Sequence, residues 1–108
     1  MILVSIESPY TGDIETNIRY TRACMSDCLK RGEAPIASHL LYTQEGILDD
    51  DIPEERNLGI QAGFEWNQMA EKTVVYMDLG ISKGMQDGID EANLRGRPIE
   101  FRELDKWQ

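Results

Sequence analysis

Two short polar peptides carry most of the residue types that could bind a small molecule. The first, at 7–12, reads Glu-Ser-Pro-Tyr-Thr-Gly, and the second, at 78–84, reads Asp-Leu-Gly-Ile-Ser-Lys-Gly. Each follows an apolar run that is typical of a buried strand. If these runs are neighbouring parallel strands, their carboxyl ends share one edge of the sheet, and the two peptides face each other there. The sequence therefore predicts a ligand crevice at that edge.

The second peptide leads into a helix and offers two kinds of ligand contact. Its backbone N–H groups would lie at the positive end of the helix dipole, where a phosphate or another anion binds favourably. Ordinary helix capping explains the same residues equally well. Asp78 is the strongest single candidate, because a carboxylate at this edge can accept hydrogen bonds from ligand hydroxyls; its alternative role is turn capping. The expected ligand-binding residues of this segment are Asp78, Gly80, Ser82, Gly84 and Met85.

Four further candidates lie after the first two strands. Ser8 and Tyr10 follow the first, and Tyr10 could stack on a base or a sugar, or simply pack within its loop. Ser38 and His39 come at the end of the second predicted strand and border the same crevice. A lone histidine after a strand is more often part of the hydrogen-bonded architecture than a catalyst.

Composition excludes several classes of partner. The chain has 108 residues, 11 Lys and Arg, and 20 Asp and Glu, for a net charge of −9. This acidity argues against a nucleic acid polymer and against an anionic membrane surface. Cys24 and Cys28 share a helix face, where two cysteines do not normally form a disulfide, and one histidine adds too few ligands for a metal site. We expect one domain over 1–108, without metal or cofactor, in the cytoplasm because no signal peptide is recognisable.

The order of the predicted elements is β-α-β-α-β-α-β. Strands are expected at 2–6, 34–41, 73–77 and 98–102, with helices that begin near Asp13, Pro53 and Ser82. Strands that alternate with helices favour a parallel sheet, and right-handed crossovers leave few topologies. We predict an α/β fold, a three-layer sandwich with a four-stranded parallel sheet in the order 2-1-3-4 and helices on both faces.

The middle helix, expected from Pro53 to about Glu71, is apolar on more than one side. One stripe is predicted to face the core, while Ile60 and Phe64 lie roughly opposite it. A second apolar face on so small a protein indicates a homo-oligomer, a dimer or higher, formed through the side that carries Ile60 and Phe64. The stripe predicted to face the core comprises Leu58, Ala62, Trp66 and Met69.

Three segments resemble the nucleoside 2-deoxyribosyltransferase-like superfamily, especially its small members from bacteria and phages. They are Ser8-Pro9-Tyr10, the strand and loop at 74–78 (Val-Val-Tyr-Met-Asp), and the run at 80–92 (Gly-Ile-Ser-Lys-Gly-Met-Gln-Asp-Gly-Ile-Asp-Glu-Ala). The resemblance implies a flavodoxin-like domain that binds a nucleoside or nucleotide at the carboxyl edge of its sheet. It also implies cleavage or exchange of the N-glycosidic bond, and assembly as a dimer or a higher oligomer.

One position departs from the superfamily pattern. Catalytic members carry a nucleophilic glutamate four residues after a glycine on the third helix; Gly84 fits that glycine, but Gly88 stands in place of the glutamate. Asp87 and Asp90 are rotated away from position 88 on a helix and are not simple substitutes. We therefore expect a nucleoside- or nucleotide-binding protein; the alternatives are an N-glycosidase or deoxyribosyltransferase that uses Asp78 or another carboxylate at the edge of the sheet, and a structural oligomer without a ligand.

Overall fold

Four parallel strands form the sheet, in the order β2-β1-β3-β4, in a computed structural model that describes residues 1–107. The elements are β1 (Ile2–Glu7), α1 (Ile14–Lys30), β2 (Glu33–Ile36), α2 (Ser38–Leu41), α3 (Pro53–Asn67), β3 (Lys72–Tyr76), α4 (Lys83–Arg95) and β4 (Ile99–Arg102). The predicted parallel sheet and its strand order are confirmed. Within the described residues, no helix is long and apolar enough to cross a membrane.

Strand alternation divides the core into two layers. On one face of the sheet, side chains of β1 and β3 pack against α1; on the other, Val75 packs against Met85 and Ile89 of α4. Because successive side chains point to opposite faces, Glu7 is on the same side of β1 as Ser5 and opposite to Ile6. The layer beneath α1 is built from Val4, Ile6, Tyr20, Cys24, Cys28, Val74 and Tyr76.

The second strand is shorter than the sequence predicts. It ends at Ile36, and the rest of the apolar run forms the single helical turn α2, in which the N–H groups of Leu40 and Leu41 donate to the Ala37 carbonyl at 3.0 Å. The prediction of a strand over 34–41 is wrong because a short apolar run without alternation suits either state, and periodicity cannot separate them. As a result, Ser38 and His39 lie on a helix.

Helix α3 packs through its glycine side. A Cβ at position 63 would lie 2.4 Å from the Ser38 Oγ, so α2 approaches the α3 backbone more closely than any residue larger than glycine permits. With α2 packed on this side, the predicted core stripe faces outward: Leu58 is 57% and Trp66 is 54% exposed, and Met69, beyond the end of α3, is 67% exposed. The predicted burial of that stripe is therefore wrong. A homo-oligomer stays a prediction, and the exposed stripe is now the larger apolar surface for it.

Candidate functional site

A cavity of about 320 Å³ lies at the carboxyl end of β1, between the start of α4 and the segment formed by α2, the following loop and α3. Its size falls within the usual range for pockets that hold small organic molecules. Part of its wall is apolar, from Leu48, Ile60 and Phe64. The structure brings together seven of the nine residues expected to bind a ligand: Ser8, Tyr10, Ser38, His39, Ser82, Gly84 and Met85.

Asp78 and Gly80 are not among the residues that line this cavity. The Asp78 carboxylate accepts hydrogen bonds from the Tyr20 hydroxyl and from the Leu104 N–H at 3.0 Å, and its own N–H donates to the Tyr20 oxygen at 2.9 Å. Asp78 lies beyond the end of β3, and its hydrogen bonds with Tyr20 hold it on the side of the sheet that α1 covers. Asp78 therefore ties the loop after β3 to α1 and to the C-terminal segment, away from the position that its expected catalytic role requires.

Glu7 lines the cavity and was not among the residues expected from the sequence. As the last residue of β1, it lies next to Gly88 of α4: a Cβ added to Gly88 would be 2.2 Å from Glu7 Oε2 and 2.6 Å from Oε1. The Glu7 carboxyl thus occupies the space that a side chain at position 88 would take. The sequence places Glu7 in the peptide at this edge, but only the packing of α4 on β1 reveals its pairing with Gly88.

The environment of Glu7 favours its neutral form. Burial raises its pKa from 4.5 to about 8, with further increases from the negative charges of Glu91 and Asp87, while Arg97 opposes the shift. Arg97 is engaged elsewhere, since it pairs with Glu91 and its Nε donates to Thr73 Oγ1 at 2.9 Å. Among residues 1–107, no hydrogen bond to the Glu7 carboxyl is found. At neutral pH, this group is mostly an uncharged acid with free hydrogen-bonding capacity.

Replacing Glu7 by glutamine is expected to weaken the pH dependence of stability. Between pH 4.5 and about 8 the folded protein keeps a proton on Glu7 that the unfolded chain loses. Stability therefore falls as pH rises through this window, by at most about 1.4 kcal/mol per pH unit for this group. Denaturant unfolding across the window checks this: Glu7→Gln should lose less stability than the wild type, while Glu71→Gln, at an exposed carboxyl, should match it. Equal slopes for Glu7→Gln and the wild type would contradict the prediction.

A second polar wall is formed by Ser8 and His39, and the buried Thr21 of α1 supports Ser8 from behind. The Ser8 hydroxyl lies 2.7 Å from His39 Nε2 and 2.7 Å from Thr21 Oγ1. Burial lowers the pKa of His39 to about 4, so its imidazole is neutral at pH 7. A neutral imidazole orients the Ser8 hydroxyl by hydrogen bonding and adds no charge to the pocket. His39 therefore serves as hydrogen-bonded architecture at the edge of the cavity.

The start of α4 forms the mouth of the cavity. The Ser82 hydroxyl accepts the Met85 N–H at 3.2 Å, which confirms Ser82 as the N-cap, and Gly96 ends the helix in the left-handed conformation with φ of 71°. Lys83 is 88% exposed and pairs with Asp87 at 3.1 Å. The positive charge expected at this helix start is therefore partly compensated by Asp87, one turn further along.

Acidic side chains do not assemble into a metal centre in the part of the chain that the structure describes. Within 1–107, no group of three or more His, Cys, Asp or Glu residues is arranged to hold an ion. Both cysteines are buried thiols, and burial raises the pKa of each. The chemistry available to the cavity is that of carboxyl groups, hydroxyls, an imidazole, the basic side chains of Arg56 and Lys83, and a helix N-terminus.

Comparison with known proteins identifies the family of this chain. No curated protein and no solved structure matches the chain. One family model matches residues 2–102, and its description is a domain of unknown function, DUF7768. The matched segment runs from the first residue of β1 to the last residue of β4 and includes every residue named here as lining the cavity. The protein belongs to the DUF7768 family.

Proposed function

We propose that this protein binds a nucleoside or a nucleotide in the cavity at the carboxyl end of β1. The observation that carries the proposal is that one cavity combines an apolar wall, the aromatic ring of Tyr10 and a set of hydrogen-bonding groups. We call this polar set the floor of the cavity, and it consists of Glu7, Ser8 and His39. A nucleoside has the same division, with a flat base and a sugar that carries several hydroxyls. The resemblance of Ser8-Pro9-Tyr10 and of the run at 80–92 to nucleoside 2-deoxyribosyltransferase-like proteins supports the same ligand class.

The two parts of the ligand fit different sides of the cavity. Tyr10 is partly exposed, and its ring can stack on the base, with Ile60 and Phe64 completing an apolar slot. Glu7 and Ser8 lie at the end of β1, where they can hydrogen-bond to sugar hydroxyls. The division of polar and apolar groups therefore orients the sugar toward the sheet and the base toward α3.

Adding a nucleoside or nucleotide is expected to raise the thermal unfolding temperature of the purified protein. A ligand at a hundred times its Kd stabilises the folded state by about 2.7 kcal/mol. Tyr10→Ala should reduce the affinity by about 1–3 kcal/mol, the usual cost of losing an aromatic stack on a base. Leu94→Ala, at an exposed position of α4 outside the cavity lining, is the matched control and should bind as the wild type does. Unchanged unfolding with every natural nucleoside and monophosphate would exclude the proposal.

A second candidate function, cleavage of the N-glycosidic bond, is favoured by the position of Glu7. Its carboxyl fills the space beside Gly88, where the resemblance implies that a catalytic carboxylate would lie. In this reaction an ionised Glu7 oxygen attacks C1′ of the sugar, and the bonding electron pair leaves with the base, which takes up a proton. Water then cleaves the glycosyl ester, which restores Glu7 and releases the sugar. Here Glu7 takes the role first expected of Asp78.

A further inference from the structure

The charged side chains around the cavity are mostly acidic. Arg56 and Lys83 are the basic residues in its lining, and Lys83 is paired with Asp87 at 3.1 Å. Neutralising Glu7 by protonation still leaves more acids than bases. The electrostatic environment is therefore unfavourable to an added anion. The acidic residues of the lining are Glu7, Asp50, Glu55 and Asp87.

A phosphate group would add a large negative charge to this acidic cavity. A phosphomonoester carries a charge of about −1.5 to −2 at neutral pH, whereas a helix N-terminus offers the equivalent of about +0.5. At the start of α4, Asp87 offsets Lys83 and lies within one turn of the N-terminal N–H groups. The helix dipole alone does not balance a phosphate beside the remaining carboxylates.

The floor of the cavity favours uncharged hydrogen-bond donors. The half-buried Glu7 carboxyl borders the cavity, and no hydrogen bond to it is present within residues 1–107. Because this carboxyl has free acceptor capacity, a ligand that covers it must supply hydrogen-bond donors to avoid the cost of an unpaired buried polar group. Adjacent hydroxyls of a sugar can both donate to one carboxyl group, whether it is ionised or accepts through its carbonyl oxygen.

We infer that the cavity selects an uncharged nucleoside over its 5′-monophosphate, with Glu7 accepting hydrogen bonds from the sugar hydroxyls and Asp87 opposing the phosphate. This inference rests on the proposed function and deepens it. The segment at the start of α4, taken alone, favours a phosphate; the acidic lining of the cavity opposes one. The selected ligand class is a nucleoside with free hydroxyls on its sugar.

Calorimetric titration at fixed ionic strength tests the charge selection. The probes are adenosine, guanosine, cytidine, uridine and thymidine, each paired with its 5′-monophosphate. For the nucleoside that binds best, we expect the monophosphate to bind at least about tenfold more weakly. Asp87→Asn should reduce the ratio of the monophosphate Kd to the nucleoside Kd at least about threefold, because it releases Lys83 from its partner. Asp90→Asn, on the same helix but outside the lining, should leave the ratio unchanged.

A second titration isolates the contact with Glu7. Uridine and 2′,3′-dideoxyuridine, or the corresponding pair for the preferred base, are bound to the wild type and to Glu7→Ala. Removing the hydroxyls and removing the carboxyl should each weaken binding about tenfold, and the two losses should not add, because both delete the same interaction. Additive losses would overturn the assignment of Glu7 to the sugar.

The remaining outcomes separate this inference from the proposed function. A monophosphate that binds as tightly as its nucleoside, or more tightly, overturns the charge selection and leaves nucleotide binding intact. A preference for the nucleoside that Asp87→Asn does not change overturns the role given to Asp87. Absence of binding by every nucleoside and every monophosphate overturns both the inference and the proposed function.

Discussion

Replacing Arg102 by methionine is expected to lower the free energy of unfolding by about 3 kcal/mol or more. Arg102 is 6% exposed, and its guanidinium donates two hydrogen bonds to the Glu33 carboxylate, from Nη1 at 2.8 Å and from Nη2 at 2.6 Å. It also donates to the Tyr76 hydroxyl at 3.1 Å and to Glu100 at 2.5 Å. Methionine fills similar space but leaves Glu33 buried with only part of its charge compensated.

The remaining partner of Glu33 sets the size of this loss. Lys72 lies 3.2 Å from Glu33 and continues to stabilise it after Arg102 is removed, so the loss falls toward the lower end of the 3–5 kcal/mol typical of a broken buried pair. The double variant Arg102→Met, Glu33→Gln should recover part of the stability, because no uncompensated carboxylate then remains. Denaturant unfolding measures all three proteins. A loss below about 1 kcal/mol in the single variant would contradict this account.

Low pH should weaken the ion pair between Arg102 and Glu33. Hydrogen bonds and charge from Arg102, with Lys72, lower the pKa of Glu33 from 4.5 to about 2. The stabilisation is therefore complete above pH 4.5 and is lost as pH falls toward 2. The Arg102→Met variant should lose much less folding free energy than the wild type as pH falls through this range. Comparing unfolding at neutral and acidic pH shows whether the network responds as its geometry requires.

Replacing Glu7 by glutamine is expected to reduce release of free base from a nucleoside at least about 1000-fold, if the second candidate function is correct. Glutamine retains the size of Glu7 but cannot form a glycosyl ester with C1′. The ionised carboxylate is the reacting form, and burial raises the pKa of this carboxyl to about 8. Wild-type base release should therefore increase about tenfold per pH unit below 8 and level off above it.

Chromatography of nucleoside incubations checks this result, with Asp78→Asn as the matched control. Asp78 bonds to Tyr20 and Leu104, outside the cavity lining, and asparagine keeps an acceptor for both. Its base release should stay within about threefold of the wild type. Loss of release in Asp78→Asn, with release retained in Glu7→Gln, would return the catalytic role to Asp78. No release by the wild type would exclude the second candidate function and leave nucleoside or nucleotide binding as the proposal.

Gly88 illustrates how sequence and structure inform the site differently. In the sequence, the resemblance to nucleoside 2-deoxyribosyltransferase-like proteins implies a glutamate at this position of the third predicted helix, which is α4, and the glycine there favours binding over catalysis. In the structure, its lack of a side chain makes room for the Glu7 carboxyl of β1. The glycine on α4 and the carboxyl on β1 belong together, because α4 packs against β1 and the Glu7 carboxyl needs the space beside Gly88. Periodicity along either element alone does not reveal it.

The sequence alone determined the parallel sheet, its order and the cap at Ser82, because these depend on local patterns and on the handedness of crossovers. It also indicated seven of the residues that line the cavity. Only the tertiary structure decided which face of α3 packs inward, which side Asp78 takes, and that Glu33 meets Arg102 across a separation of 69 residues. These outcomes depend on the close approach of distant backbones, and the sequence pattern along one element does not specify which distant side chains meet.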